Sequence, residues 1–306
     1  MASLKHVSEY LALRGIGTVA AALPYSLAMA WGRAQADLFF PLLGRRRREA
    51  FARIEEVFGT RFNRREIESI ARQSWRNIVM NGMEMMRVGR ADLEWARRVC
   101  PCDQYLRVLR EHLQTGQGAI LACPHTGSWE MGSVVSRLHG LPVFSIGAQQ
   151  RNPLVNAYIQ ALREKPGIEI IPRGAGTMKR VFRKLKAGEL LGILPDVRSR
   201  EPGFSVPFLN GTANLHKGMG LFATQTGCPV FPVIAQRHGL VRHSLTLYPP
   251  VYPDPALDKQ EDGLRITREV ARVIDRAIQN EPGQWFWYNK RWILEPLHSQ
   301  EPRELP

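Results

Sequence analysis

Between positions 123 and 130 the chain reads Cys-Pro-His-Thr-Gly-Ser-Trp-Glu, placing four residues between His125 and Glu130. An imidazole takes up a proton near neutral pH. A carboxylate on one of its ring nitrogens leaves the other as a general base for a hydroxyl. In a continuous helix, residues five apart lie about 140° apart around the axis, so the two side chains would not face each other. The pairing therefore requires His125 in a turn and Glu130 in the first turn of the helix behind it. Pro124 and Gly127 favour such a break, Ser128 is a fitting N-cap, and a glutamate suits the positive end of the helix dipole. Ser128 lacks a Gly-x-Ser-x-Gly setting, so direct attack of a substrate hydroxyl on an acyl group fits better than an acyl-enzyme. So short a pattern also arises by chance, and a purely structural pair is the alternative.

The elements that must position these residues are legible as alternating patterns. The run 118–123 reads as a buried strand delivering His125 to its carboxyl end, where open α/β sheets place ligands. Further strand-like runs occur at 142–147, 168–172, 190–194 and 229–236. Helical stretches lie at 128–139, 153–165, 176–187 and 213–226. The alternation predicts an α/β fold, a single layered domain with a largely parallel central sheet flanked by helices. Residues 243–250 add an edge strand ended by prolines. Helices are expected over 64–88, 103–115 and 260–281.

The bulk composition narrows the partners. The 306 residues are 44% hydrophobic, enough for a sizeable core, and carry a net charge of +14. That excess favours an anionic partner: a membrane surface, a phosphorylated lipid, an acidic carrier protein or nucleic acid. No module with interleaved basic and aromatic residues supports nucleic acid. The four cysteines show neither disulfide-framework nor zinc spacing, and His112, His139, His216, His238, His243 and His298 show no metal-ligand pattern. No metal and no cofactor are expected. Residues 15–31 carry no charge, between Arg14 and Arg33, and Arg45–Arg48 follow. This predicts an N-terminal membrane-associated helix, spanning or lying on the bilayer, within residues 1–44, and a catalytic domain over 45–306. An ordinary buried helix is the alternative.

Three further residues are candidates for substrate or transition-state contact. Arg163 shares its helix with Lys165; it is either a solvated charge or a group that binds phosphate or an oxyanion. Asp196 follows the apolar run 190–194, where an active-site carboxylate would sit, although Asp after Pro is also a common turn residue. Arg173 opens a Gly-rich turn before a helix bearing Lys179, Arg180, Arg183, Lys184 and Lys186. It is a candidate phosphate contact, and the basic face could dock an acidic carrier protein or anionic headgroups. Trp285, Phe286, Trp287, Tyr288 and Trp292 form the densest aromatic cluster, suited to core packing or to the wall of an acyl channel.

Ordered blocks of sequence resemble a known family. They are His125-x4-Glu130, Arg151-Asn152-Pro153-Leu154 with Arg163 ten residues after the proline, and Ile171-Pro172-Arg173. Leu194-Pro195-Asp196, Val206-Pro207-Phe208 and the run from Gln284 to Trp292 follow. Together they look like the late acyltransferases of lipid A biosynthesis, the lauroyl and myristoyl transferases acting on Kdo-lipid A. The resemblance implies an enzyme of the bacterial inner membrane, its catalytic domain facing the cytoplasm. It would transfer a fatty acyl chain from an acyl thioester, typically on acyl carrier protein, to a hydroxyl of a lipid A precursor. His125 would be the base, Glu130 its orienting carboxylate, and Arg163 and Asp196 functional. Asn289 stands where the family usually has histidine, Val197-Arg198 where a second acid is frequent, and Asn210 as an insertion; these departures bear on the acceptor. Another glycolipid or a lysophospholipid is the alternative acceptor, and a non-enzymatic protein binding anionic membranes is the second alternative.

Overall fold

The alternating pattern builds a six-stranded sheet in the computed structural model, which describes residues 3–147 and 149–294. The ends of the expected 1–44 and 45–306 segments, and His298, lie outside the described residues. Six helices come first: α1 (Leu4–Ala22), α2 (Tyr25–Phe39), α3 (Arg45–Phe58), α4 (Arg64–Arg87), α5 (Leu93–Val99) and α6 (Asp103–Leu113). Then strands and helices alternate: β1 (Ala119–Ala122), α7 (Trp129–Leu138), β2 (Val143–Gly147), α8 (Pro153–Glu164), β3 (Glu169–Pro172), α9 (Thr177–Lys186) and β4 (Leu190–Ile193). The hairpin β5 (Phe204–Phe208) and β6 (Gly211–Leu215), then α10 (Gly218–Thr226), β7 (Val230–His238), β8 (Arg242–Leu247) and α11 (Lys259–Asn280) complete the described α-helices and β-strands.

The sheet order is β3-β2-β4-β1-β7-β8, parallel except for β8, which pairs antiparallel with β7. The largely parallel α/β sheet expected from the sequence is therefore present. From β1 the chain winds outward through β2 to β3, then returns past β2 to β4 and goes on to β7. Right-handed crossovers in opposite directions put their helices on opposite faces. Accordingly Ala119 and Leu121 of β1 pack with Val135 of α7 and with Leu106 and Leu109 of α6. Ile120 and Ala122 pack with Leu185 of α9, Phe222 of α10 and Ile266 and Val270 of α11. The neighbours β1 and β4 thus form the switch point of the sheet, the crevice where such folds bind ligands.

The N-terminal expectation needs correction. The apolar run over 15–31 is broken at Pro24, whose ring and missing N–H interrupt a helix, and it divides into α1 and α2. Among the described residues no helix is long and apolar enough to cross a membrane. Instead α2 packs along α4, with Ala28 and Met29 buried against Met80 and Met83. Leu4, Leu11, Leu27, Leu38, Phe39 and Leu42 are more than half exposed.

The helix expected over 213–226 starts only at Gly218, because residues 213–215 belong to β6. The β5–β6 hairpin alternates buried Phe204, Val206 and Phe208 with exposed Ser205 and Pro207. Its tight turn holds Leu209 and Asn210 at φ 49° and 61°. Asparagine tolerates this left-handed conformation better than most residues, and its Nδ2 donates to the Val57 carbonyl at 2.6 Å.

Candidate active site

His125 lies where β1 runs out, in a turn that separates the strand from α7. Gly127 takes φ +52°, and a Cβ there would stand 2.7 Å from the Ala235 carbonyl oxygen and 2.8 Å from Gln236 Cα. Only glycine lets the turn lie this close to β7. The break expected over Thr126–Ser128 is present, and α7 begins at Trp129. The turn is also tied to residues 284–286. Gly127 N–H donates to the Gln284 carbonyl at 2.9 Å, Phe286 N–H donates to the His125 carbonyl at 3.0 Å, and Thr126 bridges to Trp285.

The carboxylate on His125 is Asp196, not Glu130. His125 Nδ1 lies 2.8 Å from Asp196 Oδ1, and the His125 backbone N–H donates to Oδ2 at 2.8 Å. Trp285 Nε1 donates to the same Oδ2, also at 2.8 Å. Asp196 is 1% exposed. Burial by itself raises its pKa, but the attraction of His125 and the bonds from His125 and Trp285 hold it below the ordinary carboxylate value. An ionised Asp196 accepts a proton-bearing Nδ1, so Nε2 is the lone-pair nitrogen. Among the described residues Nε2 has no hydrogen-bond partner, and the His125 side chain keeps 15% of its surface exposed. Trp129 meets the imidazole edge-on at 5.1 Å between centroids, and Phe286 lies at 5.9 Å.

Among the described residues Glu130 has no hydrogen bond to this pair. Its carboxylate receives Arg163 of α8, Nε at 3.2 Å and Nη2 in a short contact. The expected orienting bond from Glu130 to His125 is therefore corrected. The turn at Gly127 sends the imidazole toward the end of β4, while the second residue of α7 points toward α8, on the same side of the sheet. Two sequence candidates are thus joined as one ion pair, Glu130 with Arg163, and two others as a His–Asp pair. Arg173 is brought to neither. It follows β3, three strand positions from β1, roughly 14 Å across the sheet at ordinary strand spacing. Its charge is felt at His216, whose pKa is lowered first by burial and then by Arg173. Arg180 and Lys184 on α9 are paired with Glu169.

Cys123, two residues before His125, offers no competing nucleophile. Burial and then the charge of Asp196 push its thiol up to about 12, and the reactive form of cysteine is the thiolate. Among the described residues no group of three or more His, Cys, Asp or Glu side chains could hold a metal ion.

Sequence reasoning missed Trp285 as a direct partner of Asp196 and missed the buried group around Glu84. The available signals were the Gln284-Trp285 pair that opens the aromatic run, an acid between Met83 and Met85, and Arg237 inside an apolar strand. Ser128 is the N-cap residue of α7, as expected, but its side chain caps no α7 amide and bonds instead to Asn81 and Glu84.

The family model of bacterial lipid A biosynthesis acyltransferases matches residues 2–293. The chain belongs to this family. Its relatives include the phosphatidylinositol mannoside acyltransferase of Mycolicibacterium smegmatis, 23% identical over 195 residues, with 62% of each chain covered. That of Mycobacterium tuberculosis is 25% identical over 195 residues, 61% of this chain and 58% of the relative. The lipid A biosynthesis acyltransferase 2 of Shigella flexneri is 23% identical over 215 residues, 66% of this chain and 63% of the relative. The chain thus spans about three fifths of the length of the curated relatives it matches.

Proposed function

We propose that this family member transfers a fatty acyl chain from an acyl thioester to a hydroxyl of a glycolipid. The observation that carries the reading is the His125–Asp196 pair at the carboxyl ends of adjacent strands, with Nε2 of His125 left to take a proton. Nε2 removes the proton of the acceptor hydroxyl, whose oxygen attacks the thioester carbonyl. The tetrahedral intermediate then expels the thiolate, which recovers the proton from the imidazolium. Asp196 fixes the tautomer and stabilises the charged ring during this cycle. The protonated state of Cys123 fits direct transfer rather than a thioester on the enzyme.

The acceptor is a lipid A precursor in the first reading. A phosphatidylinositol-mannoside-like glycolipid is the alternative, consistent with the activities of the relatives. Acyl carrier protein is the proposed donor carrier, attracted by the +14 net charge. The proposed location of the site is the cytoplasmic surface of the inner membrane. The exposed apolar residues of α1 and α2, followed by Arg45–Arg48, support a helix pair lying on an anionic bilayer.

The test uses purified protein, an acyl-carrier-protein thioester and candidate glycolipids in mixed micelles. His125→Ala should lower kcat/KM by about 10³-fold or more, as loss of a general base and its positioning demands. Near-wild-type transfer by this variant would falsify the assignment. Mass spectrometry of the glycolipids from a deletion strain identifies the acceptor: one missing acyl group on lipid A supports the first reading, and intact lipid A the alternative.

A further inference from the structure

Glu84 is a second buried carboxylate beside the histidine turn, and the acyl-transfer cycle leaves it without a role. It lies on α4 and is 1% exposed. Its Oε1 accepts from the Tyr25 hydroxyl at 2.7 Å and from Arg237 Nη1 at 2.9 Å, and lies 2.9 Å from His243 Nε2. Its Oε2 accepts from Arg237 Nη2 at 2.6 Å and, in a short contact, from the Ser128 hydroxyl. Burial alone would raise this carboxyl, but Arg237 and then His243 hold it well below the usual range.

A buried ion pair stabilises a fold little more than apolar groups of the same volume would. Its consequence lies instead in what it orients. The cluster joins α2, α4, β7 and β8, and two connections lead from it to the residues that flank His125. The first is Ser128, 2% exposed, whose hydroxyl also lies 3.0 Å from Asn81 Oδ1. The second is Arg237, whose backbone N–H donates to Gln284 Oε1 at 3.1 Å and whose carbonyl accepts from Gln284 Nε2 at 3.0 Å. Gln284 in turn accepts the Gly127 N–H.

We propose that Glu84 and Ser128 are positioning residues of the acyl-transfer site. The Glu84 carboxylate, fixed by Arg237 and Tyr25, holds the Ser128 hydroxyl and with it the end of the histidine turn nearest α7. His125 thereby keeps Nδ1 on Asp196 and Nε2 toward the acceptor. The inference rests on the assignment of His125 as the base.

Ser128→Ala tests it, because the variant removes one contact to Glu84 and leaves those of Tyr25, Arg237 and His243. The expected result is a fall in kcat of roughly 10- to 100-fold with KM changed by less than about twofold, as for a base slightly misplaced. The unfolding temperature should stay within a few degrees of wild type. Ser128→Thr, which keeps a hydroxyl, should recover most of kcat. In protein labelled with ¹⁵N-histidine, the Nδ1-proton resonance of His125 should shift or broaden in Ser128→Ala and return in Ser128→Thr. A kcat of Ser128→Ala within about twofold of wild type overturns the proposal. So does an unmoved His125 resonance, or an equal loss in the Ala and Thr variants. Failure of the base assignment shows separately, as activity retained by His125→Ala.

Discussion

At the residue scale the state of Asp196 governs the site. Three donors converge on its carboxylate, two from His125 and one from the indole of Trp285. Its native pKa is depressed, so its contribution is present above the ordinary carboxylate pKa and lost as pH falls through the native value. Trp285→Phe keeps the ring and removes the N–H. A hydrogen bond to the charged form favours that form, so removing it should let the Asp196 pKa rise toward the ordinary carboxylate value. The acid limb of the kcat/KM profile should move to higher pH, measured from pH 4 to 8 with the thioester assay. A profile superimposable on wild type would show that the indole does not tune the carboxylate. Asp196→Asn should reduce kcat by about 10³- to 10⁴-fold with little change in KM, because an amide can donate to Nδ1 and fix the other tautomer. Both carboxylates are legible in the sequence, but which of them meets His125 is not. Nearness along the chain favoured Glu130; nearness in space depends on β4 returning beside β1, which no local pattern encodes.

At the element scale the turn between β1 and α7 is the critical join. Gly127→Ala would combine a left-handed φ with contacts under 3.0 Å to the β7 backbone. It should destabilise the fold by about 1–3 kcal/mol and lower kcat beyond that loss, read by denaturant unfolding and the thioester assay. Strand and helix periodicity made most of this architecture legible: the parallel strands, α7 to α9, the long α4 and α11, and the break before α7. Other elements were hidden, some for identifiable reasons. Pro207 inside the apolar alternation of β5 argues against a strand, yet it occupies an exposed position of a two-stranded sheet where no interior ladder is lost. The uncharged run over 15–31 suggested one membrane helix, and Pro24 divided it into two helices, the second packed on α4.

At the scale of the whole molecule, charge and exposed apolar area point the same way. Arg45–Arg48 follow a helix pair that leaves Leu11, Leu38 and Phe39 largely uncovered. Leu11→Asp with Phe39→Asp should weaken co-sedimentation with phosphatidylglycerol vesicles by roughly tenfold or more, since each buried apolar side chain contributes about 1.5–3 kcal/mol. Binding unchanged from wild type would remove α1 and α2 from the proposed membrane-facing surface. The tie between Asp196 and Trp285 carries a consequence in time. His125 and Asp196 are synthesised before Trp285, which follows Asp196 by 89 residues along the chain. A growing polypeptide therefore holds the imidazole and the carboxylate before it holds the indole that ties that carboxylate in place.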